Sequence, residues 1–135
     1  MPDKKINRKI AVIFATDVVG YSKHMEANES ETIINLRECE AILTGLFSKY
    51  EGRLFNKGGD SFLAEFPSAV SAVECAVEFQ NAIKERNSND DPSVKLDFRI
   101  GINSGDVVIE NENLLGDGVN IAARLEALSQ TGGVT

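Results

Sequence analysis

Residues 55–66 read FNKGGDSFLAEF, and this stretch decides how the rest of the chain is interpreted. Two glycines and Asp60 stand between two apolar runs, of which the first ends at Phe55 and the second begins at Phe62. A glycine followed by a carboxylate is typical of the tight turn that joins two antiparallel strands. The stretch therefore predicts a β-hairpin that carries Asp60 at its tip.

A second carboxylate, Asp17, ends another apolar run at residues 10–16. The near-continuous apolar character of residues 8–17 is typical of a central strand covered on both faces. Carboxylates at the ends of neighbouring strands suit a hard cation such as Mg²⁺, which takes one or two carboxylates plus substrate phosphates. Each also has an ordinary explanation, because Asp17 could cap the next turn and Asp60 could be a plain turn residue.

The composition favours one folded domain and excludes several classes of partner. The chain has 135 residues, of which 42% are hydrophobic, and its net charge is −7. An acidic chain without a basic run lacks the footprint that binds duplex nucleic acid, although a metal ion can bring a nucleotide to an acidic site. The polar N-terminus and the absence of an apolar run of about 20 residues predict a cytoplasmic protein. Cys39 and Cys75 are expected to be buried free thiols.

The apolar periodicity and the turn signals predict an α+β fold, in which helices pack on a mostly antiparallel sheet. Residues 1–7 are expected to form a disordered tail, and residues 8–135 one domain. The predicted elements are a strand at 8–17, a turn at 18–22, a helix at 29–50, the hairpin, a helix from Pro67-Ser68 to 87, a strand at 95–103, a turn at 104–105, a strand at 107–109, a loop at 111–116 and a helix from 117 or 118 to 128. Val134 and Thr135 look like the opening of another strand, so we expect the chain to be a fragment of a longer domain.

The helical spacing also predicts which side chains face the core. The expected inward residues of the second long helix are Val70, Val73, Ala76, Val77 and Ile83. Those of the last helix are Ile121, Leu125 and Leu128.

The last helix carries a second motif, GDGVNIAARLEAL, at residues 116–128. Asn120 and Arg124 are four residues apart and therefore project from one face. An amide beside a guanidinium could clamp a sugar and a phosphate. From spacing alone a solvated face, with Arg124 paired to Glu126 or a neighbour, is favoured. Asp117 is expected to be a helix N-cap, and Arg99 could be a surface residue on an edge strand.

Four segments together resemble the catalytic domain of class III nucleotidyl cyclases, with its ferredoxin-like, palm-type sheet. They are ATDVVGYS (15–22), NKGGDSFLAEFPSAVSAVECAVEFQ (56–80), FRIGINSGDVV (98–108) and GDGVNIAARLEAL (116–128). In this order and spacing they are similar to the bacterial adenylate cyclase branch. The resemblance covers nearly the whole chain, from residue 8 to residue 135. It implies a domain that continues past Thr135, so this chain alone could be weakly active or inactive.

The resemblance implies a conversion of ATP to 3′,5′-cyclic AMP and pyrophosphate. It implies that Asp17 and Asp60 bind two Mg²⁺ or Mn²⁺ ions per site, while Asn120 positions the ribose and Arg124 stabilises the transition state. It also implies phosphate contacts from the backbone of Val18, Val19, Gly20 and Tyr21 and from the side chain of Arg99. Active sites of this family form between two head-to-tail subunits, so the implied partner is a second copy of the chain.

Two positions depart from the family pattern, and both belong to the residues that read the base. Asn56 stands where the family has a lysine, and Lys57, one residue later, is expected to face the other side of its strand. Asn113 stands where adenylate cyclases usually have an aspartate. Since an asparagine both donates and accepts hydrogen bonds, either purine could be served. ATP remains the expected substrate.

Two further functions compete with this interpretation. The asparagines would also fit a non-catalytic dimerisation or nucleotide-sensing module with a degenerate cyclase site. A guanylate cyclase, or a diguanylate cyclase suggested by the Gly58-Gly-Asp-Ser-Phe62 segment, is a weaker alternative. The latter motif has serine where the diguanylate cyclase signature has glutamate.

Overall fold

The computed structural model describes residues 7–135, which form one antiparallel sheet with helices on both faces. Its elements are β1 (Asn7–Val18), α1 (Tyr21–Ala27), α2 (Glu29–Lys49), β2 (Arg53–Gly58), β3 (Ser61–Phe66), α3 (Ala69–Asn89), β4 (Phe98–Glu110), β5 (Asn113–Leu115) and α4 (Asp117–Leu128). The strand order is β2-β3-β1-β4-β5. The predicted α+β class is confirmed. Of the predicted tail, residues 1–6 lie outside the described residues, and Asn7 begins β1.

The first strand lies at the centre of the sheet, as its apolar sequence predicts. Because successive side chains point to opposite faces, β1 contributes to two separate cores. Phe14 and Val18 pack with α2 and α3 on one face. Ile13 and Ala15 pack with α4 on the other face. The carboxyl end of β1, where Asp17 stands, is therefore held from both sides.

The two long helices begin directly after a capping side chain. The side chain of Asn28 accepts a hydrogen bond from the N–H of Glu31 at 3.1 Å, and Ser68 accepts one from Ser71 at 3.1 Å. Both bonds satisfy a backbone donor in the first helical turn. The short helix α1, by contrast, replaces part of the region predicted as a turn. Gly20 stands at its N-cap with a φ of 64°, a conformation that glycine adopts without strain.

The inward face predicted for α3 is partly wrong. Val70, Val73 and Val77 are 66%, 45% and 47% exposed, whereas Ala76 and Ile83 are buried as predicted. The buried stripe also includes Ala72, Cys75 and Phe79. Two stripes with helical spacing run along this helix, and the one that carries phenylalanine and small residues packs on the sheet. The valines, although β-branched and apolar, lie on the outer stripe.

The turn predicted at residues 104–105 is also wrong, because β4 continues through it. This strand pairs with β1 without interruption from Phe98, opposite Val18, to Ile109, opposite Asn7. The glycine that packing requires here is Gly118 on α4, where a Cβ would lie 2.5 Å from the carbonyl oxygen of Asp106. The strand that pairs back is β5, which lies inside the predicted loop.

The last residues of the chain pair with β4, as the sequence suggests. Val134 forms a parallel bridge with Ile100. The N–H of Thr135 donates to the carbonyl of Ile100 at 2.9 Å, and its carbonyl accepts from Ile102 at 2.8 Å. Cys39 and Cys75 are buried free thiols, as predicted. Within residues 7–135, no helix combines the length and the apolar character needed to cross a membrane.

Candidate active site

The two predicted metal-binding aspartates come together at one end of the sheet, where β1 ends and the β2–β3 hairpin turns. Asp17 lies next to the last residue of β1, and Asp60 lies in the turn between β2 and β3. Because β3 pairs with β1 in the register Thr16 to Phe62, the hairpin tip reaches the end of β1. The N–H of Val18 donates to Oδ2 of Asp60 at 3.1 Å. A local turn and one strand pairing thus bring two carboxylates together from positions 43 residues apart in the sequence.

Arg99 joins the same cluster from the neighbouring strand. It is the cross-strand partner of Asp17, and its Nη2 lies 3.4 Å from Oδ1 of that aspartate. Its Nη1 donates to the carbonyl of Ala127 at 3.2 Å. Arg99 is half-buried on a strand that lies between β1 and β5, so the alternative of a surface residue on an edge strand is wrong.

Glu126 is a fourth member of the cluster, and the sequence reasoning missed it. The alternative expectation paired Glu126 with Arg124, but Glu126 lies on the inner face of α4 and is only 6% exposed. Its Oε2 lies 3.5 Å from Nε of Arg99. A signal was present in the sequence, because Val119, Ala122 and Glu126 have the spacing of a core stripe. An acidic residue in such a stripe needs a buried partner.

The close approach of α4 to β4 depends on Gly101. A Cβ at this position would collide with the backbone N of Glu126 and would lie 2.5 Å from the carbonyl oxygen of Ala122. Only glycine permits that contact between a strand and a helix backbone. This packing delivers Glu126 to the side chain of Arg99, two residues before Gly101.

The cluster has an unfavourable balance of charge, with three carboxyl groups around one guanidinium. Burial raises the pKa of Asp60, hydrogen bonds from the backbone at Val18 and at Asp60 itself oppose that shift, and the charge of Asp17 adds to it. Burial also raises the pKa of Glu126, the neighbouring Asp17 carboxylate adds to the shift, and the charge of Arg99 opposes it. A bound cation would relieve this repulsion.

The cluster fits a divalent cation that completes its coordination from elsewhere. Carboxylate oxygens are the hard ligands that Mg²⁺ prefers. Within residues 7–135 the side chain of Asp60 accepts hydrogen bonds from backbone N–H groups and forms no ion pair, so its negative charge is available to an ion. No group of three or more His, Cys, Asp or Glu side chains in residues 7–135 is arranged to enclose an ion. Asp17 and Asp60 would therefore share the ion with water or with substrate phosphates.

In the predicted phosphate-binding turn, only some backbone N–H groups are available to bind a phosphate. The N–H of Val18 donates to Asp60, and that of Val19 donates to the carbonyl of Asp97 at 2.8 Å. In the described part of the chain, the N–H groups of Gly20 and Tyr21 have no backbone acceptor. Gly20 is the N-cap of α1 and Tyr21 is its first residue, and both follow Asp17 closely in the sequence.

The two asparagines at the predicted base-reading positions line one open hollow of about 490 Å³. Asn56 follows the irregularity in the pairing of β2 with β3, where the register shifts between Leu54 and Asn56. Asn113 begins β5. Lys57 also lines this hollow in part, but its Nζ forms an ion pair with Oε2 of Glu40 on α2 at 2.7 Å. The structure therefore supports the expectation that this lysine is directed to the other face.

Asn120 and Arg124 lie on the outer face of α4, where both are exposed. Within residues 7–135, neither side chain forms a hydrogen bond or an ion pair, and so neither is joined to Asp17 or Asp60. The predicted core side of α4 is wrong for two of its residues, because Ile121 is 40% and Leu128 is 78% exposed. Small residues, Gly118 and Ala122, face the sheet instead, and they lie where α4 approaches β4 closely, at Asp106 and Gly101 respectively.

The start of α4 also differs from the prediction for Asp117. The N-cap is Gly116, with a φ of 105° that favours glycine, and no side chain caps this helix. Asp117 is the first residue of the helix, where its charge complements the helix dipole. Asp117 therefore contributes to the helix start without being its cap.

Residues 3–135 match the family of adenylate and guanylate cyclase catalytic domains. The chain belongs to this family, as the resemblance of its four motifs predicted. In the curated relative named "Putative adenylate cyclase 3" of Rhizobium meliloti, 42% of 135 aligned residues are identical. The alignment covers 99% of this chain and 23% of that relative, so the chain spans about a quarter of its length.

Solved cyclase structures share the fold. An adenylate/guanylate cyclase/hydrolase from Silicibacter pomeroyi superposes with a TM-score of 0.85 at 36% identity, over 96% of this chain and 76% of that one. The guanylyl cyclase Cya2 superposes with a TM-score of 0.83 at 25% identity, over 96% of this chain and 75% of that one. The sheet and its helices are therefore those of a class III cyclase catalytic domain.

Proposed function

We propose that this chain is the catalytic domain of a nucleotidyl cyclase that converts ATP to 3′,5′-cyclic AMP and pyrophosphate. One observation carries the proposal: Asp17 and Asp60 lie together at one end of the sheet, with Arg99 beside them. In the reaction, a bond forms between the ribose 3′-oxygen and the α-phosphorus. The bond from that phosphorus to the bridging oxygen of the β-phosphate breaks, and the 3′-hydroxyl proton leaves to solvent.

Asp17 and Asp60 are the residues that would hold two Mg²⁺ or Mn²⁺ ions. Such ions, when bound, lower the pKa of a coordinated hydroxyl group and neutralise charge on the triphosphate. Arg99 would contribute a fixed positive charge to the phosphates. The N–H groups of Gly20 and Tyr21 would donate to phosphate oxygens, while Val18 holds Asp60 in position.

A second copy of the chain would complete the site. Asn120 and Arg124 project outward, away from the cluster on the inner side of their own helix. In a head-to-tail homodimer, each copy would present Asn120 to the ribose and Arg124 to the transition state of its partner's nucleotide. The exposed Ile121 and Leu128 on the same outer face support this assignment, because dimer interfaces bury apolar side chains.

The hollow between Asn56 and Asn113 would receive the purine. Each asparagine amide both donates and accepts, so its two rotational orientations can match adenine or guanine. The proposal takes ATP as substrate because the relative at 42% identity carries an adenylate cyclase name. A guanylyl cyclase is also a structural neighbour, and it motivates cyclic GMP as the second candidate product.

Product analysis tests the proposal. The full-length natural protein is incubated with Mn²⁺ and equal amounts of ATP and GTP, and the nucleotides are separated by chromatography. We expect cyclic AMP as the main product and none from the Asp60→Ala variant. Cyclic GMP would retain the mechanism and reverse the base assignment. A folded dimer that makes no cyclic product would instead indicate a nucleotide-sensing or dimerisation module.

A further inference from the structure

Glu126 is the only buried charged residue of α4, and its position relates it to Arg99. Asp117 and Arg124 on the same helix are exposed, whereas Glu126 is 6% exposed. Its Oε2 faces Nε of Arg99 at 3.5 Å. Within residues 7–135, neither of these two buried atoms has a hydrogen-bond partner. The two groups to which they belong form an ion pair with each other.

The guanidinium of Arg99 is held on three sides. Nε faces Glu126, Nη1 donates to the carbonyl of Ala127 at 3.2 Å, and Nη2 lies 3.4 Å from Asp17. Two of these contacts come from the carboxyl end of α4. This end of the helix can lie against β4 because residue 101 is a glycine and has no side chain. Because a guanidinium is planar and rigid, fixing Nε and Nη1 also fixes the direction of Nη2.

We propose that Glu126 is a positioning residue, whose buried carboxyl group holds Arg99 so that Nη2 is directed towards the phosphates of a bound nucleotide. Asp17 would be drawn to a cation when the site is loaded, and its contact with Arg99 would then weaken. Glu126 and Ala127 would keep the guanidinium of Arg99 oriented even without the contact to Asp17. An arginine that is already oriented loses less conformational freedom when its ligand binds. The inference rests on the proposed function in one respect, namely that Arg99 binds a phosphate chain.

Two substitutions separate positioning from a structural role. Glu126→Leu removes the acceptor and continues the apolar stripe of Val119 and Ala122; because it leaves the buried Nε–H of Arg99 without its counterpart, it should lower stability, and its fold is first checked by thermal unfolding. Glu126→Gln keeps a carbonyl acceptor at the same position and should preserve the contact. The matched control is Glu38→Leu on α2, because Glu38 also pairs with a guanidinium, that of Arg86 at 2.9 Å.

The first measurement is independent of any reaction. In protein with ¹⁵N-labelled arginine, the Nε–H signal of Arg99 is assigned by its loss in Arg99→Lys, and its exchange with water is measured by NMR. We expect exchange about tenfold faster in Glu126→Leu, because the Nε–H loses its counterpart. Glu126→Gln and Glu38→Leu should leave this signal unchanged. Equal exchange in Glu126→Leu and the wild type would overturn the inference.

The second measurement uses inorganic tripolyphosphate as the probe, with Mn²⁺ in excess, by titration calorimetry. Glu126→Leu should weaken binding about tenfold, as expected for an arginine that must be reordered. Glu126→Gln should restore it, and Glu38→Leu should match the wild type. Unchanged tripolyphosphate affinity in a folded Glu126→Leu protein would also contradict positioning.

Steady-state kinetics then separate failure of the inference from failure of the proposed function. With cyclic product formed, Glu126→Leu should raise KM for the nucleotide about tenfold and change kcat about threefold or less. A wild type that binds tripolyphosphate without making cyclic product would refute the proposed function, and the calorimetric comparison would still decide the role of Glu126. A lowered kcat with unchanged KM would assign Glu126 to the chemical step and overturn positioning.

Discussion

The two faces of α4 differ in whether their polar side chains find partners within a single chain. On the inner face, Glu126 is buried and contacts Arg99, which in turn contacts Asp17. On the outer face, Asn120 and Arg124 are exposed, and within residues 7–135 their side chains have no partner. The inner face thus belongs to a cluster that the fold assembles by itself. The outer face carries an amide and a guanidinium that form no hydrogen bond or ion pair with the described residues, which is the reason for proposing a site shared by two copies.

The largest expected effect comes from removing a carboxylate of the inner cluster. Asp60→Ala should reduce metal-dependent turnover at least about a thousandfold, because the proposed metal ligand is lost. The fold should remain, since Asp60 lies in a hairpin turn and makes one contact to the N–H of Val18. Turnover is measured with Mn²⁺ and ATP, and the fold by thermal unfolding. Wild-type turnover in this variant would remove Asp60 from the site.

A change on the outer face should act on the rate more than on binding. Arg124→Ala should lower kcat about a hundredfold with little change in nucleotide affinity, because its charge is needed mainly in the transition state. The control is Arg37→Ala, an exposed arginine on α2. Affinity is measured with a non-cyclisable ATP analogue. An equal loss in kcat and affinity would make Arg124 a binding residue only.

Mixing these two variants tests directly whether the faces belong to different copies. If each site takes metals from one chain and Arg124 from the other, a heterodimer of Asp60→Ala with Arg124→Ala contains one intact site. An equal mixture should then recover about a quarter of wild-type activity, since half of the dimers are mixed and each has one of two sites. Activity that stays at the level of the separate variants would place both faces in one chain's site.

Gly101 supports the inner face, and a methyl group there should destabilise the protein. Gly101→Ala places a Cβ 2.5 Å from the carbonyl oxygen of Ala122, so α4 must move away from β4. We expect a loss of about 3 kcal/mol in the free energy of unfolding, measured in urea. Gly45→Ala on α2 is the control, because its Cβ would meet nothing within 4 Å. That change should stabilise by about 0.5–1 kcal/mol. Equal stabilities of the two variants would contradict the close packing.

The same contrast explains which features the sequence predicted. The hairpin tip and the end of β1 depend on local signals, namely the two glycines before Asp60 and the apolar run before Asp17, and both were predicted. The faces of α4 depend on what the helix meets. Ile121 and Leu128 have core-like spacing, but Gly118 and Ala122 face the sheet instead, because the backbones of α4 and β4 approach closely at Asp106 and at Gly101. Glu126 was missed for the same reason.

The misplaced turn in β4 has a related cause. Gly105 has the chemistry of a turn residue, yet it stands in a continuous strand, and Gly118 of α4 packs against it: a Cβ at Gly118 would lie 3.1 Å from the carbonyl carbon of Gly105. A glycine that serves helix packing and a glycine that serves a turn are indistinguishable in one sequence. Only the pairing of β4 with the whole length of β1 separates the two.

The smallest effect should come from the apolar part of the outer face. Leu128 is 78% exposed in a single chain, and burial of a leucine side chain contributes about 1.5–3 kcal/mol. If the outer face of α4 meets a second copy, Leu128→Ser should weaken the dimer about tenfold, measured by sedimentation at several concentrations. Unfolding of the monomer should not change, because the side chain already faces water. The matched control is Val70→Ser on α3, where the valine is 66% exposed. Equal dimer affinities of the two variants would exclude Leu128 from the interface and leave Asn120, Arg124 and Ile121 as the support for a shared site.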